Sequence, residues 1–190
     1  MNSQNGCTVW LTGLSGAGKT TLAQVLGERL RERGVGYELL DGDELRDRLS
    51  PGLGFSKQER DAHVRRAGYL CELLSRNGVI TVAALISPYR AVRDELRARI
   101  PDFIEVYVEC PLKELVRRDV KGLYRKARAG ELKEFTGVSA PYERPLAPEL
   151  EIRSGEWPVA RCLAELALYV QRHLSVPLAA RPALPAQVEA

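Results

Sequence analysis

Eight consecutive residues, Gly13-Leu14-Ser15-Gly16-Ala17-Gly18-Lys19-Thr20, constrain this chain more than any other stretch. They fit the phosphate-loop pattern G-x-x-x-x-G-K-[ST], and both flanks agree with it. The run Thr8-Val9-Trp10-Leu11-Thr12 before them is apolar and β-rich, and Leu22, Val25, Leu26 and Leu30 then recur on one helical face. A strand that feeds a glycine loop and then a helix N-terminus makes an anion site. The glycines let backbone N–H groups close around phosphates. Lys19 reaches the β- and γ-phosphates, Thr20 can ligate Mg²⁺, and Thr21 ends the ATP-binding run. A plain Gly/Ser turn is the bland alternative, and the spacing, the Lys-Thr pair and the flanks all speak against it. The loop points to a nucleoside triphosphate and leaves open what is done with it.

Beyond the loop, strand and helix patterns alternate. Apolar β-rich runs fall at about 7–13, 37–41, 79–86, 103–110 and, more weakly, 149–153. Helical patterns fall at about 19–33, 57–77, 89–99, 111–118 and 158–173. This order predicts an α/β fold: a doubly wound, parallel five-stranded sheet with helices on both faces, of the P-loop kinase type. Ligands are expected at the carboxyl ends of the strands, where Gly13, Asp41-Gly42-Asp43, Ser87 and Cys110-Pro111 stand. Residues 120–148 are basic, Gly/Pro-punctuated and too polar for a core, which suits a functional lid. The kinase domain is read as residues 1–174, and the Pro/Ala-rich stretch 175–190 as a disordered tail.

Composition narrows the partners. A net charge of +3 on 190 residues does not by itself suggest nucleic-acid binding. Arginine outnumbers lysine 22 to 6, which composition bias explains as readily as anion binding, so each arginine is argued by position. The four cysteines lack metal-ligand spacing and read as buried small hydrophobes in a reducing compartment. No signal peptide and no membrane-length apolar run is visible, and a cytoplasmic protein is expected.

Two acids flank a glycine in Asp41-Gly42-Asp43. One can bind Mg²⁺ or its water, and the other can accept a proton from a hydroxyl. The alternative is a turn with Asp43 capping a helix at Glu44-Leu45-Arg46, and the two roles are compatible. The strand that ends at Ile86-Ser87-Pro88 carries no carboxylate, so this pair has few rivals. Gly54-Phe55-Ser56 opens a helix bearing Arg60, His63, Arg65 and Arg66, and Phe55 is either a staple onto the core or a platform for a base. Ser87 reads as a residue that hydrogen-bonds substrate; no neighbouring base activates it as a phosphoryl acceptor. His63 contacts substrate or solvent, and neither it nor His173 suggests a metal site.

Together these segments resemble the adenylylsulfate kinase (APS kinase) family over about residues 7–173. The resemblance rests on the phosphate loop, Asp41-Gly42-Asp43-Glu44-Leu45-Arg46, Gly54-Phe55-Ser56, Ile86-Ser87-Pro88-Tyr89-Arg90, Arg118-Asp119-Val120-Lys121-Gly122-Leu123-Tyr124, Phe135-Thr136-Gly137 and Pro141-Tyr142-Glu143. It implies transfer of the γ-phosphoryl group of ATP to the 3′-hydroxyl of adenosine 5′-phosphosulfate, with Mg²⁺. It implies that Arg46 and Arg60 hold the phosphosulfate and that Phe55 and Phe135 sandwich the acceptor adenine. Ile86, Ser87 and the Lys121-Gly122-Leu123 segment would line the same pocket, and Arg118 would lie near the ATP base. Lys19, Asp41, Asp43 and Ser87 are the catalytic candidates, with Thr20 and Asp41 at the metal and Asp43 on the 3′-hydroxyl. Direct in-line transfer is favoured over a phosphorylated Ser87.

His63 departs from the family, which has asparagine there. An imidazole beside an anionic acceptor implies a KM that falls as pH drops through about 6.5. A homodimer and a functional pairing with an ATP sulfurylase are left open. Two rivals remain: a kinase of a base-free metabolite such as gluconate, and a non-catalytic nucleotide sensor.

Overall fold

A computed structural model describes residues 6–119 and 121–174. The expected tail at 175–190 lies outside the described residues. Five strands form one all-parallel sheet: β1 (Thr8–Thr12), β2 (Tyr37–Asp41), β3 (Ile80–Ala84), β4 (Phe103–Glu109) and β5 (Leu150–Arg153), in the order β2-β3-β1-β4-β5. Helices α1 (Lys19–Glu32), α3 (Lys57–Ser75), α4 (Arg90–Arg99), α5 (Leu112–Arg118) and α7 (Val159–Leu174) match the sequence pattern closely. Two short helices, α2 (Gly42–Leu49) and α6 (Leu123–Arg128), add to it.

The central strands β1, β3 and β4 are buried on both faces, with alternate side chains entering opposite layers, while the edge strands β2 and β5 are only partly covered. Val9 and Leu11 pack with Leu22, Leu26 and Leu30 of α1 and with Leu163, Leu166 and Val170 of α7. Trp10, between them, packs on the opposite face with Val64 and Cys71 of α3 and Val92 and Leu96 of α4. Neighbouring strands β1 and β3 therefore send their following helices, α1 and α4, to opposite sides of the sheet. That divergence opens a crevice at the carboxyl ends of the strands.

The starts of the helices fix the loops beside this crevice. Ser56 and Glu59 form a reciprocal capping box at α3, which shapes the 54–56 loop. At α2 the cap is Asp41, whose carboxylate accepts from the Asp43 and Glu44 amides; Asp43 sits inside the first turn. This corrects the expectation of Asp43 as the cap and leaves its carboxylate free of that duty. All four cysteines are buried and free. Among the described residues no helix is long and apolar enough to cross a membrane.

Candidate active site

One cleft of about 520 Å³ lies at the carboxyl ends of β1, β2 and β3. The phosphate loop forms one wall, with Ser15, Gly16, Gly18, Lys19, Thr20 and Thr21 lining it. Gly13, Leu14 and Ala17 shape the loop from behind. Gly13 has φ 152°, and a Cβ there would stand 2.4 Å from the Val108 carbonyl oxygen, so no side chain fits. Two contacts brace the loop from outside: Tyr124 Oη donates to the Ser15 carbonyl (2.8 Å) and Ser154 Oγ to the Ala17 carbonyl (2.7 Å). The Ser154 carbonyl in turn receives Arg118 Nη2 at 2.9 Å, which places Arg118 at the rim.

Lys19 is 8% exposed, and its ammonium donates to the Leu14 carbonyl at 2.8 Å. Burial lowers its pKa to about 8, against the opposing pull of Asp43 and Asp41. A cation held short of full solvation is primed for the charge of a triphosphate.

The two acids separate by geometry. Asp41 Oδ2 accepts from Thr20 Oγ1 at 2.8 Å, while its other oxygen caps α2. Asp43 projects into the cleft, and its Oδ2 accepts from Lys121 Nζ at 2.7 Å across 78 residues of sequence. A hydroxyl and a carboxylate in contact beside a phosphate loop are hard oxygen donors suited to Mg²⁺. Among the described residues no cluster of three or more His, Cys, Asp or Glu gathers. Mg²⁺ needs none where nucleotide oxygens and water complete its shell.

The far wall carries the acceptor candidates. Arg46, one turn after Asp43, donates to the Leu53 and Gly54 carbonyls at 3.3 and 2.9 Å. The guanidinium groups of Arg46 and Arg60 lie 4.6 and 5.3 Å from the Phe55 ring centroid, and the ring is 52% exposed. Glu59 fixes this loop by accepting from the Gly54 amide (2.8 Å) and the Ser56 amide and hydroxyl (3.1 and 2.6 Å). Arg60 is 7% exposed and spans the cleft to the lid segment, donating to the Phe55 carbonyl, Thr136 Oγ1 and the Glu134 carbonyl. Phe135 lines the cleft but packs edge-on against Tyr124 at 5.1 Å. Ile86, Lys121 and Leu123 line the cleft as well, and Gly122 turns the chain into α6 with φ 65°. Cys110 and Pro111, expected near ligand, line a separate shallow hollow.

Ser87 and His63 both line the cleft, and one expectation, the titration of His63, needs correction. Ser87 is 2% exposed, and its hydroxyl accepts from Trp10 Nε1 (3.0 Å) and donates to Thr12 Oγ1 (2.9 Å). Its proton is spent inside the fold, which fits the reading that it is no phosphoryl acceptor, and the residue still lines the cleft beside Ile86. His63 is 6% exposed, its Nδ1 bonded to Ser50 Oγ at 2.9 Å, with the Gly42 backbone as a further partner. It braces both ends of α2. Burial, then the Arg46 charge, lowers its pKa to about 4. The imidazole is therefore neutral near neutrality, and the expected step near pH 6.5 disappears. Acceptor KM should follow the same pH profile between about pH 6 and 8 in the wild type and in His63→Asn. A wild-type KM that falls toward pH 6, flattened in His63→Asn, would restore the titrating role.

Tyr124, Ser154, Glu59 and Thr136 carry supporting contacts that residue-by-residue reading left unassigned. Tyr124 and Thr136 stand inside the quoted motifs, whereas Ser154 and Glu59 had no signal beyond the Ser56-x-x-Glu59 capping spacing.

A parallel sheet with a phosphate loop after its first strand, an acid pair after its second and a segment tied over the cleft defines a P-loop kinase. The adenylylsulphate kinase family model matches residues 5–153. The chain is similar to an adenylyl-sulfate kinase of Rippkaea orientalis (strain PCC 8801 / RF-1), 58% identical over 151 residues that cover 80% of this chain and 83% of the relative. It is also similar to a probable bifunctional SAT/APS kinase 2 of Sorangium cellulosum (strain So ce56), 53% identical over 85% of this chain and 29% of that protein. Among solved structures it resembles the Mycobacterium tuberculosis APS kinase CysC in complex with AMPPNP and APS, with TM-score 0.83, 39% identity, and coverage of 88% of this chain and 98% of that one. The chain belongs to the adenylylsulphate kinase family.

Proposed function

We propose that this protein transfers the γ-phosphoryl group of ATP to the 3′-hydroxyl of adenosine 5′-phosphosulfate, giving 3′-phosphoadenosine 5′-phosphosulfate. The observation that carries the reading is one cleft lined by both halves of such a site. Lys19, Thr20 and Asp41 stand on one wall, Arg46, Phe55 and Arg60 on the other, and the short helix α2 joins them through Asp43.

ATP docks with its phosphates in the loop, where backbone amides and Lys19 take up the charge that develops during transfer. Thr20 and Asp41 would hold Mg²⁺, which when bound neutralises phosphate charge. Arg46 and Arg60 grip the phosphosulfate by charge-assisted bonds, and Phe55 offers a face to the adenine. Asp43 orients the 3′-hydroxyl and takes its proton as the oxygen attacks phosphorus in line. Lys121 gives up Asp43 to the substrate and stays beside the anions. The lid, about 120–148, excludes water that would otherwise accept the phosphoryl group. Its ties to both walls support that role: Lys121 to Asp43, Thr136 to Arg60, and Gly137 packed against Leu14. The bifunctional relative supports functional pairing with an ATP sulfurylase. Four buried, unpaired cysteines fit a cytoplasmic location.

Phe55→Ala should weaken acceptor binding by about 1–3 kcal/mol and leave ATP affinity nearly unchanged. Phe135→Ala should do the same but also lower the melting temperature, because its ring packs on Tyr124. Calorimetric titration with adenosine 5′-phosphosulfate in the presence of ADP measures both. An equal loss for ATP would move the rings to lid closure or the donor site.

A further inference from the structure

One buried cation has no part in the scheme above. Arg93 on α4 is 1% exposed. Its Nε donates to Glu105 Oε1 on β4 at 2.7 Å, its Nη1 to the Ser87 carbonyl at 2.6 Å and its Nη2 to the Glu143 carbonyl at 2.7 Å. The charge is compensated by Glu105, which also receives Arg97 Nη2 at 3.0 Å, and Glu149 closes the group by accepting from Arg97 and from the Glu105 amide. Three bonds in a planar fork, to three separate segments, are a geometry that lysine cannot reproduce.

One of those segments, the Ser87 turn, lines the cleft, and another belongs to the lid. Ser87 follows Ile86 in the cleft wall and holds φ 38°, a costly conformation for a residue with a side chain. Tyr142 and Glu143 lie in the C-terminal part of the lid, and Tyr142 lines the separate hollow beside the cleft. Glu143 is tied to the same turn twice more, its amide donating to the Pro88 carbonyl (2.8 Å) and its Oε2 accepting from the Arg90 amide (2.8 Å).

A chain of hydroxyls joins the same turn to Tyr142. Thr12 Oγ1 donates to the Ile86 carbonyl (2.8 Å) and accepts from Ser87 Oγ (2.9 Å), so its contact with Tyr142 Oη (2.9 Å) uses the tyrosine proton. The Ser87 and Thr12 protons are thus both spent inside the fold, and Arg93 and Tyr142, with the guanidinium 5.8 Å from the ring centroid, hold the turn together. The phosphate loop has its own braces, Tyr124 and Ser154, and shares none of these bonds.

We infer that Arg93 is a positioning residue for the acceptor: with Tyr142 it locks the Ile86–Ser87 wall to the root of the lid, and so sets the acceptor pocket independently of the ATP site. The inference rests on the proposed reaction. In Arg93→Lys, acceptor KM should rise at least about tenfold, since small misplacements of a binding wall are costly. The dissociation constant of a non-hydrolysable ATP analogue should stay within about twofold. Tyr142→Phe, which removes one hydroxyl and keeps the ring, should raise acceptor KM about threefold with the same selectivity, and it decides the matter should Arg93→Lys not fold.

Steady-state kinetics with adenosine 5′-phosphosulfate and calorimetry with the analogue give both numbers. A folded variant with unchanged acceptor KM, or with equal losses for acceptor and analogue, overturns the inference. Absence of acceptor turnover in the wild type would overturn the reaction as well, whereas normal wild-type turnover with unchanged variants overturns the brace alone.

Discussion

Lys19→Ala is expected to reduce turnover by at least about 10³-fold while the protein stays folded. The magnitude is the upper range for losing one preorganised donor at a transition-state charge. Lys19 combines two properties that make it costly to lose. Its ammonium is buried at the phosphate loop, where attraction for a triphosphate is poorly screened. Its only bond among the described residues is to the Leu14 carbonyl, so no other segment depends on it. Removing a cation that burial already disfavours costs the fold little. ADP release together with a thermal melt checks both halves. Near-normal ADP production by the folded variant would take the loop out of the mechanism.

Asp43→Asn should lower kcat by at least about 10²-fold, the lower range for a lost general base. The side chain of Asp43 is 81% exposed, so the change should leave stability alone. Asp41→Asn should behave differently. Asparagine caps a helix as well as aspartate, so α2 should persist. The lost charge sits against Thr20 and should appear as a raised Mg²⁺ requirement. Titrating Mg²⁺ in both variants separates the roles. Asp43→Asn near wild type, with Asp41→Asn inactive at any Mg²⁺ concentration, would reverse the assignment.

The sheet was legible because its central strands are buried runs rich in β-branched residues, as in Ile80-Thr81-Val82 and Ile104-Glu105-Val106. The phosphate loop was legible because its chemistry is local. Helix α6 was not, and α2 showed only as a capped turn at Glu44-Leu45-Arg46, because each buries too little to show a period: Leu45 alone in α2, Tyr124 and Ala127 in α6.

His63 shows a different limit. Its neighbours in sequence are arginines, which suggested a titrating surface ring. In the fold the ring is buried against Ser50, and that burial, with the Arg46 charge second, decides its charge. Ser87 lines the cleft, and its bonds to Trp10 and Thr12, invisible in the sequence, form only once β1 and β3 pair. Arg93 reads as one more arginine on a charged helix, and only Glu105 on a strand packed beneath that helix reveals why it is buried. Local chemistry was readable; whatever depended on a partner far along the chain was not.

The central claim is the identity of the acceptor, and a coupled ADP-release assay tests it most directly. The purified protein, with ATP and Mg²⁺, would be offered adenosine 5′-phosphosulfate, gluconate, shikimate and nucleoside monophosphates in parallel. The account predicts ADP release with adenosine 5′-phosphosulfate, matched mole for mole by 3′-phosphoadenosine 5′-phosphosulfate, and only background with the others. Faster release with any of the others, or none with adenosine 5′-phosphosulfate, would contradict it.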